Sequence, residues 1–260
     1  MNSLIQKENQ GFLRIHPIKK VILFLHTLVT SIYIGSCIYS VYFVLISGNE
    51  HVLSTFIRKG IANMKYLLSI WVVLIEMVYF CSYSVIDFLE IYYLYHKKSA
   101  FALLLRQFLR VTVCNVLFSV VFPLSAVVAI LFWGFYFWER ELIYPKIMDN
   151  VLPPFINHMM HTYPVPLSIF YMFVEITEEP PKKRSFVLLT TLMSTYSFVF
   201  FYGNHNCDEW IYPVLDALTP SQATLVVIFT MTTPYVFLFV GYYIFSKIKG
   251  ITELSSTIKY

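Results

Sequence analysis

The sequence predicts an all-α membrane protein, a single polytopic domain over residues 1–260 built as a bundle of about six transmembrane helices with both termini cytoplasmic. Three observations predict it. Apolar runs of roughly eighteen residues or more recur along the chain, and such a run crosses the ~30 Å hydrocarbon layer as a helix. The composition is 58% hydrophobic and only 13% charged, whereas a soluble domain carries roughly 25% charged residues. Lys and Arg are also unevenly divided. With the N-terminus in the cytoplasm, fourteen fall on that side and five on the other, the asymmetry that orients membrane proteins. The apolar runs lack the alternation of barrel strands, the other structure able to cross a bilayer.

The first twenty residues include Lys7, Glu8, Arg14, Lys19 and Lys20. They are too polar and too long for a cleaved signal peptide, so the first span, 21–47, stays in the membrane. The second span, 66–86, enters from the outer side. The third, 111–138, is longer than a crossing needs. The segment from Ser99 to Arg110 is apolar but broken by Arg106 and Arg110. It is either an amphipathic helix on the inner interface or an early extension of span three. The fourth span, 155–174, follows Pro153 and Pro154, which suit the first positions of a helix. Within it Pro164 cannot donate to the carbonyl four residues back, which predicts a kink. A proline turn with the basic triplet Lys182, Lys183 and Arg184 leads to the fifth span, 186–202, and then to the sixth, 222–245. The net charge of +4 follows from basic cytoplasmic loops and calls for no nucleic acid. The four cysteines have neither metal nor disulfide spacing and receive no role.

Polarity is concentrated between spans three and four, from Glu139 to Thr162. A membrane protein places such groups where it does chemistry or lines an aqueous cavity. A shorter copy, Asp208-Glu-Trp-Ile-Tyr-Pro-Val-Leu-Asp216, lies between spans five and six. Both Ile-Tyr-Pro turns fall outside. The two hairpins resemble a parallel repeat, although chance also gives a likeness this short.

His158 and His161 are three residues apart, on one helix face. His161 lies about 10 Å into the layer from Pro154. Ser69, near the start of span two, has similar depth. A neutral imidazole can take the proton of a hydroxyl and make it a nucleophile. Otherwise a membrane serine bonds its own backbone, and paired histidines bond between helices. Glu76, seven residues after Ser69, sits near the midplane, where an acid is a functional hypothesis by default. It either bonds another helix or floors a polar cavity. His205 can join the site from the second turn, with Asn204 beside it. Asp208 or Asp149 would orient an imidazole, or each is simply solvated. Tyr144 and Tyr212 are interfacial aromatics first.

Phe132-Trp133, Glu139-Arg-Glu-Leu-Ile-Tyr-Pro-Lys-Ile-Met-Asp-Asn150, Pro153 or Pro154, and Asn157-His158-Met-Met-His161-Thr162 resemble the androgen-induced gene 1 and androgen-dependent TFPI-regulating protein family. The likeness is dense from Phe122 to Pro166 and thinner over Tyr66–Phe80 and Asn204–Leu218. It implies a multi-pass membrane hydrolase of fatty acid esters of hydroxy fatty acids, with a threonine nucleophile and a histidine. The histidine falls on His161. The threonine falls in Lys65-Tyr-Leu-Leu-Ser69, where matching the lysine selects Leu68 and matching Glu76, Tyr79 and Phe80 selects Ser69. Ser69 is preferred, because leucine cannot attack an ester. Asn157, His158 and His205 are candidate donors to the oxyanion, and Glu76 is a supporting residue.

This chemistry needs no cofactor or metal. The expected partners are a lipid ester and membrane lipids, in the plasma membrane or endoplasmic reticulum. Two other readings compete. A membrane iron hydroxylase needs many histidines on one side. Of the seven present, only His51, His158, His161 and His205 fall outside or near it. An inactive family member acting as a receptor, transporter or interaction protein stays open because serine replaces threonine.

Overall fold

The computed structural model describes residues 17–47, 63–95, 100–150, 152–175, 179–205 and 210–257, and these are helices and their connections. Helix α1 (Pro17–Ser47) is followed by a 3-10 turn, Met64–Tyr66, and by α2 (Leu68–Tyr95). A short α3 (Ala100–Phe108) passes through a π-helical turn, Leu109–Cys114, into α4 (Asn115–Ile143). Then come α5 (Pro154–His161), α6 (Pro164–Val174), α7 (Lys182–His205), the single turn α8 (Pro213–Asp216) and α9 (Pro220–Thr257). Both termini, His51, Asp208 and the rest of residues 206–209 lie outside the described residues.

Five helices, α1, α2, α4, α7 and α9, are long and apolar enough to cross a membrane, which makes this an integral multi-pass membrane protein. The expected fourth span is the exception. The kink predicted at Pro164 is a full break: 155–174 becomes two helices of 8 and 11 residues. Thr162 leaves helical geometry (φ −124°, ψ −57°) and Pro164 opens the next helix. Its missing amide costs nothing at a first position. The indole of Trp133 donates to the carbonyl of His161, at 3.3 Å, and to Thr162 Oγ1, at 3.1 Å. It thereby serves backbone that the break leaves without a helical partner. Residues 100–108 form α3, which continues helically through the π turn into α4. Phe101, Leu104 and Phe108 are exposed and Ala102 is buried.

Helix α4 is the hub, packing against α2, α5, α6, α7, α8 and α9. Two apolar cores flank it. One gathers Tyr33, Tyr79, Phe80, Tyr83, Tyr171 and Met172. The other gathers Leu68, Val72, Val128, Tyr196, Phe200 and Ile211.

At the far end of α2, about 27 Å from Ser69 along the helix, charges tie four elements together. His26 Nδ1 bonds Asp87 at 2.7 Å, with its ring between Tyr83 and Tyr171. Arg106 donates to Glu90 at 3.0 Å and Arg110 to Glu175 at 2.8 Å, while Lys19 also bonds Glu90. The basic residues counted as cytoplasmic charge are therefore partly spent on ion pairs that hold α1, α2, the α3 region and the end of α6 in register.

Candidate active site

The approach to Ser69 begins with a break in helical geometry. Leu67 is extended (φ −82°, ψ 125°) between the 3-10 turn and α2. Helix α2 therefore starts afresh at Leu68, and Ser69 lies in its first turn. The amide of Leu68 donates to Tyr212 Oη at 2.7 Å. Tyr196 Oη lies 3.1 Å from Tyr212 Oη and donates to the carbonyl of Tyr66 at 3.3 Å. The proton order then follows. Tyr196 spends its proton on a carbonyl, so Tyr212 donates to Tyr196 and accepts from Leu68. Burial pushes the Tyr212 hydroxyl above its usual range. The tyrosine of the second Ile-Tyr-Pro turn thus fastens the helix start beside Ser69. The first turn's tyrosine does something else: Tyr144 donates within its own turn, to the carbonyls of Met148 and Leu152 at 3.4 and 3.3 Å. The turn carrying Tyr212 is anchored by Ile211, whose amide donates to Asn204 Oδ1 at 2.9 Å.

His161 ends α5 and is buried, with 8% exposure. Its ring lies flat on Phe132, with centroids 3.7 Å apart and planes within 8°. Its Nδ1 is 3.1 Å from the backbone carbonyl of Asn157 and 2.9 Å from Asn157 Oδ1. A carbonyl can only accept, so Nδ1 carries the proton and Nε2 keeps the lone pair that a base needs. His158 is held elsewhere: its ring stacks on Trp133 and Nδ1 is 3.0 Å from Thr162 Oγ1. Adjacent aromatics of α4 therefore serve the two histidines separately.

Ser69 and His161 line one cavity of about 100 Å³. Its walls are mainly apolar, including Val128, Phe135, Leu215 and Met231, and its hydroxyls are those of Ser69, Tyr196, Tyr212 and Thr230. This fits the usual form of a lipid or small-molecule site, concave and apolar with a few placed polar groups. Leu68, the alternative match, also lines the cavity.

The other sequence candidates lie apart. Glu76 does not line the cavity. It is fully buried (0% exposed) and accepts from Ser125 Oγ at 2.6 Å and Tyr33 Oη at 3.3 Å, so of its two readings the interhelical bond is the one observed. His158 is likewise outside the lining, and His205 is exposed at the end of α7, also outside it. Asp149 pairs with Arg140 at 2.5 Å and, among the described residues, orients no imidazole. Asn157 reaches the cavity only through His161. Sequence reasoning missed Phe132 as the platform of His161, and it missed the roles of Tyr196 and Tyr212. A hydroxyl-bearing aromatic in each element near Ser69 was the available signal. Among the described residues, no three His, Cys, Asp or Glu side chains gather in a metal-holding group.

The chain is similar to androgen-dependent TFPI-regulating protein of Mus musculus, 32% identical over 129 residues, which is 50% of this chain and 54% of the relative. It is also similar to androgen-induced gene 1 protein of Homo sapiens, 30% identical over 112 residues, 43% of this chain and 46% of the relative. The matched region thus spans about half the length of these curated relatives. No solved structure matches. The profile of the family described as FAR-17a/AIG1-like protein covers residues 21–249, and the chain belongs to that family.

Proposed function

We propose that this protein is an integral-membrane lipid ester hydrolase in which Ser69 is the nucleophile and His161 the general base, cleaving fatty acid esters of hydroxy fatty acids. The observation that carries the proposal is the shared cavity: two residues 92 positions apart, chosen from sequence, line one apolar chamber. The protonation state inferred for His161, with Nδ1 donating to Asn157, supports a base acting through Nε2. The extended Leu67 also supports Ser69 over Leu68 as the match to the family threonine. Leu67 is a non-helical position between Lys65 and α2, where the two ways of matching the family diverge, and the match made on Glu76, Tyr79 and Phe80 within the helix selects Ser69.

The chemistry runs in two halves. His161 Nε2 takes the Ser69 proton while Oγ attacks the ester carbonyl. The tetrahedral intermediate collapses as His161 returns that proton to the leaving alkoxide, releasing the hydroxy fatty acid and leaving an acyl-Ser69 ester. Water, deprotonated by His161, then attacks the acyl carbon, and Ser69 leaves with the proton. In the first turn of α2 the Leu68 amide serves Tyr212, and those of Ile70 and Trp71 serve the carbonyl of Leu67. The amide of Ser69 itself is the backbone donor assigned here to the oxyanion. In this scheme Asn157 is a positioning residue, and Glu76 supports the helix bundle rather than the chemistry.

The cytoplasmic placement of both termini is part of the same proposal; it takes α5 and α6 together as one more crossing beside the five long helices and puts Ser69 and His161 at the outer end. Tags at the termini should become reachable only once the cytoplasmic face is opened, whereas a tag at Asn206 should lie on the other side. The test of the activity is a serine-reactive fluorophosphonate on the purified protein. Labelling of wild type and none of Ser69→Ala is expected, and equal labelling of the two sinks the assignment.

A further inference from the structure

The cavity of Ser69 and His161 shares part of its wall with a second space. A second, more open cleft lies between α4 and α9, lined by Phe135, Trp138, Leu218, Gln222, Leu225 and Val226. Phe135 on α4 and Val226 on α9 line both spaces, so one residue from each wall stands at their junction. Beyond the junction the cleft reaches the surface: Trp138 is 57% exposed and Leu225 is 65% exposed. In a membrane-crossing bundle, such exposed apolar side chains face acyl chains rather than water. Trp138 is the last residue before the non-helical Glu139 (φ −152°, ψ 94°). It stands where α4 loses its helical geometry, as expected of a tryptophan near the interface.

We infer that this cleft is the lateral access route by which an acyl chain of the lipid ester passes from the bilayer to Ser69, with Phe135 and Val226 as its gate. The inference rests on the hydrolase reading above and goes beyond it by naming where the substrate enters and where its tail rests. The occupant follows from the lining. A long-chain ester that crossed water to reach the cavity would expose every methylene it had buried in lipid, whereas passage between α4 and α9 keeps it among apolar side chains. The cavity holds the hydroxyls of Ser69, Tyr196, Tyr212 and Thr230, whereas the cleft offers Gln222 and the Trp138 indole. The reacting ester therefore sits beside Ser69, with its tail in the cleft.

The test uses the full chain in phosphatidylcholine nanodiscs with two substrates: a long-chain ester of a hydroxy fatty acid dissolved in the bilayer, and water-soluble p-nitrophenyl acetate. Leu225→Trp narrows the mouth. It should raise KM for the bilayer ester about tenfold or more, and leave kcat/KM for the acetate within about twofold of wild type. Leu225→Cys, labelled after folding with a bulky maleimide, should do the same without any question of misfolding; wild type treated identically is its reference. Phe239→Trp, exposed on α9 outside the cleft, should change neither substrate. The route is overturned if blocking position 225 leaves both esters unaffected, or slows both equally. Wild type that hydrolyses neither ester overturns the hydrolase reading and the route together. Wild type active on both, with both 225 blocks indifferent, overturns the route alone.

Discussion

Tyr212→Phe is the most informative single substitution outside the cavity's reacting groups. It keeps the ring, which packs 6.1 Å from Phe200, and removes one oxygen. That oxygen accepts the amide of Leu68 at 2.7 Å and bonds Tyr196 at 3.1 Å. Tyr196 keeps its carbonyl partner on Tyr66, so the loss falls on Leu68. An orphaned donor of this kind costs about 1–3 kcal/mol. Because it opens the helix that carries Ser69, turnover should fall with stability. Thermal unfolding in nanodiscs reads the first effect and kcat the second. Tyr144→Phe is the comparison: it gives up only long bonds within its own turn and should cost less than about 1 kcal/mol. Tyr196→Phe with Tyr212→Phe should be less than additive, since the hydroxyls share one bond. There is also a pH signature. The folded-state pKa of Tyr212 is raised by burial, so its contribution is fully present below the unfolded value near 10 and is lost as pH rises beyond it. Tyr212→Phe should make the alkaline loss shallower. If Tyr144→Phe costs as much as Tyr212→Phe, or Tyr212→Phe costs nothing, the fastening of α2 by the second turn is refuted.

Three further outcomes follow from particular contacts. Glu76→Gln keeps one acceptor oxygen for Tyr33 while its amide donates to Ser125 Oγ, whose proton goes to the Val121 carbonyl, and should cost under about 1 kcal/mol, whereas Glu76→Ala strands the Tyr33 hydroxyl beside a void and should cost about 2–4 kcal/mol in chemical unfolding. A Cβ on Gly203 would lie 2.6 Å from Ile211 Cδ1 and 2.7 Å from Tyr66 Cδ1; Gly203→Ala should therefore destabilise by about 1–3 kcal/mol and loosen the turn that carries Tyr212. Asn157→Ala removes one of two acceptors for His161 Nδ1 but keeps the backbone carbonyl, so kcat should fall only about tenfold, well short of the effect of losing the imidazole.

Much of this architecture was legible in the chain. Uninterrupted apolar runs allow little but membrane helices, and Pro164 announced the break after His161. The convergence of Ser69 and His161 was legible because topology and rise per residue place both at one end of the bundle. What sequence could not give was the partner across a helix interface. Nothing local to Glu76 indicates Ser125, 49 residues away, or Tyr33 on α1. The two Ile-Tyr-Pro turns look equivalent as strings, yet one tyrosine serves its own turn and the other reaches 144 residues back to Leu68. His205 sits beside the second motif in sequence but outside the cavity, because α7 ends with that side chain exposed. His26 and Asp87 were not singled out, although an acid at the end of span two facing a histidine on span one is a recognisable signal.

The central claim is that Ser69 and His161 act as one unit, and a double-mutant cycle on ester hydrolysis tests it most directly. Ser69→Ala, His161→Ala and the double mutant are each measured for kcat/KM as folded protein in nanodiscs, with Ser69→Thr alongside. The account predicts that each single loss abolishes most of the activity, that the double mutant is little worse than either, and that Ser69→Thr retains some turnover. Folded Ser69→Ala that hydrolyses the ester like wild type, or a double mutant whose loss is the product of the two single losses, would contradict it.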